Sequence, residues 1–290
     1  FLRESEACFR TGFEGMVDRS YSTIGSMAAA LPALARRRAD RSVHATVSRY
    51  IRDDRLRMAL SFHPLFIGGN PLRASSVLSL ISYLEREYGV YYAMGGTNAL
   101  VRGIAGLVGS QGGTILTGAR VEEILVRNGA ASGVRLTGGQ QIDSDIVVSN
   151  ADTGWTYRNL VPARNRSRWT DRRIARARHS MSLFVWYFGT SRRYDDVDHH
   201  TVLMGPRYEG LLGDIFDRKI LAEDFSLYLH RPSKTDNSVA PRGHDAFYVL
   251  SPVPNLDADI DWTRQAEPYR RRIAAHLERS LLPDLGKHVV

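Results

Sequence analysis

The sequence has 290 residues, of which 43% are hydrophobic and 24% charged, as is typical of a globular protein. This composition excludes intrinsic disorder as the main state, and the single cysteine, Cys8, excludes an intrachain disulfide. The formal net charge of +8 favours anionic partners such as nucleic acid, anionic lipid or acidic substrates. Zinc-finger spacing and an RNP-like aromatic run are both missing, so we expect no nucleic-acid partner. No apolar run approaches the roughly 20 residues that a membrane-spanning helix needs.

Residues 1–92 are predicted to be mainly helical, because apolar residues recur at helical spacing. One such helix carries Ile24, Met27 and Leu31 on a single face and runs into the basic residues 36–38. Pro32 is expected to kink or break it. An apolar face beside a basic cluster suits a membrane surface, and an ordinary helix packed on the protein's own core gives the same pattern.

Residues 93–150 change in character, from helix to short strands. The turn Gly95-Gly96-Thr97 begins a predicted helix, and Gly112-Gly113 ends it. Such a turn can bring backbone N–H groups close to a phosphate or a flavin, and it can also be a plain helix start. The Ile146-Val147-Val148 run is typical of a strand that is buried on both faces of a sheet. Strands are predicted at 114–117, 121–126, 133–136 and 145–148.

The remaining residues, 151–290, mix strands with helices. Strands are predicted at 183–188, 225–230 and 247–250, and a helix at 268–282. His199 and His200 are adjacent, so they cannot easily share one metal ion from a helix face; we assign them a structural or loop role and predict no metal site. His230 lies in an apolar context that favours a core histidine. The sequence shows no G-x-G-x-x-G and no nucleophile motif, so no catalytic residue is assigned.

Both ends of the sequence indicate a piece of a longer protein, because the chain begins within a helical pattern and stops without a cap. Several segments together resemble the bacterial-type phytoene desaturases, which are FAD-dependent carotenoid desaturases of the flavoprotein amine-oxidase superfamily. The resemblance covers essentially the whole chain. It is carried by SFHPLFIGGNP (61–71), the Gly95-Gly96-Thr97 turn, VVSNAD (147–152), HHTVLMGPRY (199–208) and LYLHRPSKTD (227–236).

The resemblance implies a mixed α/β fold, with an incomplete Rossmann-like FAD-binding domain and a substrate domain of mixed sheet plus helices. It divides the chain into a helical, membrane-associated region (1–92), part of the FAD domain (93–152) and a substrate-binding region (153–290). It further implies FAD as the cofactor. The residues that it places at the cofactor are Gly95, Gly96 and Thr97 on the flavin side, Val121 at the adenosine part through its backbone, and Asn150, Ala151 and Asp152 at a strand end.

The same resemblance implies a function. Such an enzyme introduces conjugated double bonds into phytoene, through neurosporene towards lycopene, while it sits peripherally on the cytoplasmic side of the cell membrane. In the helix before Pro32 several relatives carry an acidic and a basic residue, where this chain has Ser26 and Ala29, so no acid–base role is transferred there. The alternatives are a desaturase of diapophytoene or hydroxyneurosporene, a carotenoid isomerase, and a non-enzymatic basic module that binds membranes or polyanions.

Overall fold

A computed structural model describes residues 1–290 and shows two compact units, Phe1–Ala99 with Ser180–Val290, and Leu100–His179. The mixed helix-and-sheet class is confirmed. The residues 1–92 and 180–290, which the sequence analysis placed in different regions, belong to one unit. None of the helices combines the length and apolar character required to cross a membrane.

The helices are α1 (Leu2–Phe9), α2 (Ile24–Arg36), α3 (Val43–Ser48), α4 (Asp54–Ser61), α5 (Leu80–Tyr88), α6 (Thr97–Ser110), α7 (Thr153–Trp155), α8 (Asp171–Ala175), α9 (Tyr208–Gly213), α10 (Trp262–Ser280) and α11 (Leu285–His288). The strands are β1 (Val121–Arg127), β2 (Ala130–Leu136), β3 (Gln141–Asp143), β4 (Ser182–Thr190), β5 (His200–Leu203), β6 (Leu227–His230) and β7 (Asp245–Val253).

The first unit is built on a four-stranded antiparallel sheet of order β4-β7-β6-β5. Alternate side chains of its strands point to opposite faces, so each strand offers one set of residues to the core. Leu229 and Val249 on that face are buried against Ile273 and Leu277 of α10. The core of this unit therefore lies between the sheet and α10, and the other sheet face is free to bind something else.

The second unit contains a three-stranded antiparallel meander, β1-β2-β3. Asn128 and Gly129, both at positive φ, form the predicted tight turn between β1 and β2. The strand β3 is absent from the sequence prediction, because three residues are too few to show a period.

Two predicted strands of this unit do not form. Residues 114–117 and 145–148 lie outside any strand, and Ile146 and Val148 are 76% and 87% exposed. The prediction of a buried strand at 146–148 is therefore wrong for this structure. The physical reason is that no strand of the 290 residues lies beside this segment to take up its backbone hydrogen bonds.

The helix α2 runs through Pro32 without a break, so the predicted break is wrong and the predicted kink stays a prediction. Ala28, whose carbonyl loses its helical partner at Pro32, is exposed, so water can supply the missing hydrogen bond. Thr23 and Ser26 form a capping box at the start of the helix. The apolar face of α2 does not pack on the protein's own core: Ile24 is 91% exposed, and Met27 and Leu31 are also exposed.

Candidate functional site: an apolar sheet face that ends in a histidine cluster

The face of the sheet that points away from α10 is apolar as well, and we call it the open face. One row of residues runs straight across it, because Val185 pairs with Leu250, Leu250 with Tyr228 and Tyr228 with Val202. Val185 and Val202 are exposed. Apolar and aromatic side chains that stay exposed on a sheet face are typical of a site for an apolar ligand or partner.

Part of the open face is roofed by residues 62–66, which lead from α4 into a short 3₁₀-helix. The ring of Phe66 meets the ring of Tyr228 edge-on, with centroids 6.0 Å apart. Between roof and sheet lies a cavity whose walls carry no charged side chain. Its lining comprises Phe62, Leu65, Phe66, Met181, Leu183, Val202, Met204, Ser226, Leu227, Tyr228, Leu250 and Pro252. Such a cavity suits a hydrocarbon chain and offers no group to hold a charged substrate.

Next to this apolar row the sheet carries a second row that is polar. Tyr187 pairs with Tyr248, Tyr248 with His230, and His230 with His200. The rings of His200 and His230 stack at 5.2 Å. His199, directly before β5, turns its ring back towards the same place, and its Nε2 lies 2.8 Å from Nε2 of His230. We call His199, His200 and His230 the histidine cluster.

The histidine cluster is partly desolvated, since His199 and His230 are half-buried and His200 is exposed. Burial lowers the pKa of His199 and of His200, and burial together with the two neighbouring imidazoles lowers the pKa of His230 to about 4. Burial likewise raises the pKa of Tyr228 well above its ordinary value. All of these side chains are therefore neutral at pH 7, as an apolar surface requires.

The glycine turn at residues 95–97 is tied to the histidine cluster. The backbone N–H of Gly95 donates to Oδ2 of Asp236 at 2.6 Å, and the ring of Tyr92 lies 4.8 Å from that of His199. Thr235, the neighbour of Asp236, contacts Nδ1 of His199 through its hydroxyl at 2.5 Å. Within the first unit, the turn that we predict to face a flavin thus lies at the polar end of the open face.

A buried ion pair holds the chain that leads into the cluster. Arg231 is fully buried, with Nε 2.9 Å from Oδ2 of the equally buried Asp245. Its Nη1 donates to the carbonyl of Val197, and its backbone N–H donates to the carbonyl of His199. Arg231 therefore fixes both ends of the segment that presents His199, and it follows directly after His230.

The predicted cofactor residues fall into both units. In the first, Gly95 and Gly96 adopt φ of +83° and +76°, which favours glycine, and Thr97 begins the 14-residue α6. The N–H of Gly95 donates to Asp236 and that of Gly96 to the carbonyl of Ala93, so neither is offered to a ligand. What the turn does offer a flavin or phosphate oxygen is close approach to a backbone without Cβ atoms, at the positive end of α6. The fit therefore rests on Gly95, Gly96 and Thr97.

In the second unit, Val121 begins β1 and pairs with Leu136, so its backbone stands at the end of the meander. Asn150 and Ala151 are exposed, and Ala151 borders a cavity of this unit. Asp152 caps α7 by accepting from the N–H of Trp155 at 2.7 Å. The role of Val121 at the adenosine part of FAD stays a prediction, as does that of Asn150, Ala151 and Asp152 near the cofactor, although no strand ends directly before these three residues.

The sequence is similar to known flavoenzymes. Residues 18–255 match the sequence pattern of the flavin-containing amine oxidoreductases. The chain is 45% identical to a neurosporene-forming phytoene desaturase of Rhodobacter capsulatus and 42% identical to a lycopene-forming one of Pantoea ananas. These alignments cover the whole chain but 56% and 59% of the relatives. The chain therefore spans little more than half the length of the curated relatives that it matches.

A solved oxidoreductase from Methanosarcina mazei has a similar fold, with a TM-score of 0.59 over 92% of this chain and 58% of that protein, at 19% identity. The chain belongs to the flavin-containing amine oxidoreductase family. Membership confirms the predicted family resemblance and the flavin cofactor, FAD, that comes with it.

Sequence reasoning missed the histidine cluster. It treated His199-His200 as a loop pair and His230 as a core residue, whereas the structure places all three on one side of a β5–β6 pair. The alternation of residues 225–230 was the available signal, because it puts Tyr228 and His230 on the same sheet face. The partner strand β5 gave no signal, since its four residues, His200–Leu203, are too few to show a clear period.

Proposed function

We propose that this chain is the substrate-binding part of a phytoene desaturase, which introduces conjugated double bonds into phytoene on the way to neurosporene and lycopene. The observation that carries the proposal is the open face: an apolar cavity, free of charge, on a sheet face whose polar row lies near the glycine turn. The phytoene desaturases among its relatives support the substrate class.

The residues of this chain have three tasks in such a reaction. The row of Val185, Leu250 and Tyr228 binds a hydrocarbon by apolar contact, and the roof around Phe66 excludes water from it. The turn at Gly95, Gly96 and Thr97 would hold the flavin, which supplies the hydride acceptor when bound. The protein orients an unreactive hydrocarbon against that acceptor. The shape of the cavity and the exclusion of water from it therefore matter more for the reaction than any charged group.

The test uses the full-length protein in cells that accumulate phytoene. We expect the extracts to contain coloured, more conjugated polyenes, separated and identified by chromatography and absorption spectra. Cells that keep their phytoene unchanged, although the flavoprotein is present in soluble or membrane-bound form, would reject the proposal. A close alternative is desaturation of diapophytoene, because a 4,4'-diapophytoene desaturase of Methylomonas is 32% identical over 94% of the chain. Supplying that substrate in parallel distinguishes the two.

We further propose that the protein sits peripherally on the cytoplasmic face of the cell membrane. The support is α2, whose apolar residues Ile24, Met27 and Leu31 are exposed. The helix ends at the exposed Arg36, and the exposed Arg38 follows it. A helix of this kind lies in the interface between headgroups and acyl chains, with its basic end near anionic lipid.

Replacing Ile24 and Leu31 together by Ser is expected to weaken binding to anionic vesicles about tenfold, since their apolar burial in lipid is lost. Sedimentation of the full-length protein with phosphatidylglycerol vesicles measures it. The matched control is Leu56→Ser, which removes an exposed leucine from α4. Equal binding of all three proteins would contradict the assignment of α2 as the membrane-facing helix.

A further inference from the structure

We propose that His199, His200 and His230 form a binding site for a divalent transition-metal ion, with Zn²⁺ as the best match. The inference goes beyond the proposed function and does not depend on it. It rests on the convergence of three imidazoles that the sequence places in two separate segments. One ring nitrogen from each of the three histidines lies within 4.8 Å of the other two.

The fold brings the ligands together by strand register. His200 and His230 are directly opposite each other in the β5–β6 pair, so their rings lie side by side on one face. His199 precedes the strand, and the backbone bond from Arg231 to its carbonyl lets its ring return to the same face. The adjacency of His199 and His200, which argued against a shared ion on a helix, is no obstacle at the start of a strand.

The ring orientations suit coordination through Nε2. Nδ1 of His199 contacts the hydroxyl of Thr235 at 2.5 Å, and Nδ1 of His200 contacts the hydroxyl of Tyr228 at 2.6 Å. Metal-bound histidines commonly have such a partner on the nitrogen that does not bind the ion. Two of the three ligands therefore already have the supporting contact that fixes a ring for metal binding.

The spacing needs an adjustment of up to about 1.5 Å, because the three ligand nitrogens lie within 4.8 Å of one another. Nε2 of His199 and Nε2 of His230 are 2.8 Å apart and share one proton. Two ligands of a tetrahedral Zn²⁺, each about 2.0–2.1 Å from the ion, lie roughly 3.3 Å apart. An ion would take the place of that shared proton while the rings separate by about half an ångström. The other ring nitrogen of His230, Nδ1, is buried without a partner, and an ion at Nε2 leaves it so.

The ligand set selects the ion. Three neutral imidazoles with no carboxylate among them suit Zn²⁺, Cu²⁺ or Ni²⁺ and do not suit Mg²⁺ or Ca²⁺, which require oxygen ligands. Asp236, which follows Thr235 in the sequence, already accepts hydrogen bonds from the N–H of Gly95 and the hydroxyl of Ser238. A site with three protein ligands leaves one position open for water or another small ligand.

The test is calorimetric titration of the chelator-treated full-length protein with Zn²⁺, followed by Mg²⁺ in a separate run. We expect one Zn²⁺ per chain and no heat of binding for Mg²⁺. His200→Asn and His230→Asn, each confirmed as folded by circular dichroism, are expected to weaken Zn²⁺ binding at least about tenfold. His244→Asn is the matched control, because His244 is a half-buried histidine outside the cluster, and it should leave binding unchanged.

X-ray absorption of the Zn²⁺-loaded wild-type protein gives a second readout that needs no variant. We expect three nitrogen ligands of imidazole type at about 2.0–2.1 Å. A spectrum without imidazole scattering, less than one equivalent of bound Zn²⁺, or equal affinity of wild type and His200→Asn would each overturn the proposal. Product formation from phytoene is not part of this test, so the proposed function can fail or hold independently of it.

Discussion

Arg231→Met is expected to lower the free energy of unfolding by about 3–5 kcal/mol, because it leaves the carboxylate of Asp245 buried without its cation. Asp245 also accepts from the N–H of Tyr194 and from the hydroxyl of Ser233, and these two contacts do not neutralise its charge. Urea unfolding of the full-length protein, followed by tryptophan fluorescence, measures the loss.

The control for this prediction is Arg264→Met. Arg264 also pairs with an aspartate, Asp261 at 3.4 Å, but it is a solvent-accessible pair of the kind that contributes about 0–1 kcal/mol. The double variant Arg231→Met/Asp245→Leu should be less unstable than Arg231→Met alone, since it removes the unpaired charge as well. A loss below about 1 kcal/mol for Arg231→Met would show that the ion pair does not hold this part of the sheet.

Leu250→Lys is expected to reduce polyene formation at least about 100-fold. Leu250 lies between Val185 and Tyr228 on the open face and lines the cavity. An ammonium group there meets hydrocarbon on all sides and costs roughly 3 kcal/mol or more when substrate displaces the water around it. The assay is product analysis in phytoene-accumulating cells, at matched protein levels.

Leu256→Lys is the matched control for the cavity. It introduces the same charge at a leucine that is 83% exposed and outside the cavity lining, so product formation should stay within about twofold. Equal loss in both variants would indicate a general effect of charge on the protein. Unchanged activity of Leu250→Lys would mean that the open face does not bind the substrate.

Long periodic segments could be predicted from the sequence. The helix at 268–282 was recognised because Ile273 and Leu277 recur at helical spacing, and both are buried against the sheet. The Asn128-Gly129 turn was recognised from its residue types, which tolerate positive φ. In these places local preference and tertiary packing favour the same structure.

The failures have a common cause, since each depends on partners distant in sequence. Residues 146–148 have the composition of a buried strand, and composition cannot show whether a neighbouring strand is present. The histidine cluster depends on the register between β5 and β6, and register is set by pairing across the sheet. The family resemblance implied the cofactor, which family membership confirms, and the substrate class, which is proposed here. The open face and its polar end could be found only from the fold.

The most direct test of the central claim is an anaerobic reaction of purified full-length flavoprotein with phytoene in lipid vesicles. We predict that flavin absorbance falls while a conjugated polyene appears in the same sample. We expect neither change with the Leu250→Lys variant. Flavin that stays oxidised in the presence of phytoene, with no polyene formed, would contradict the assignment of this sheet face to the desaturation substrate.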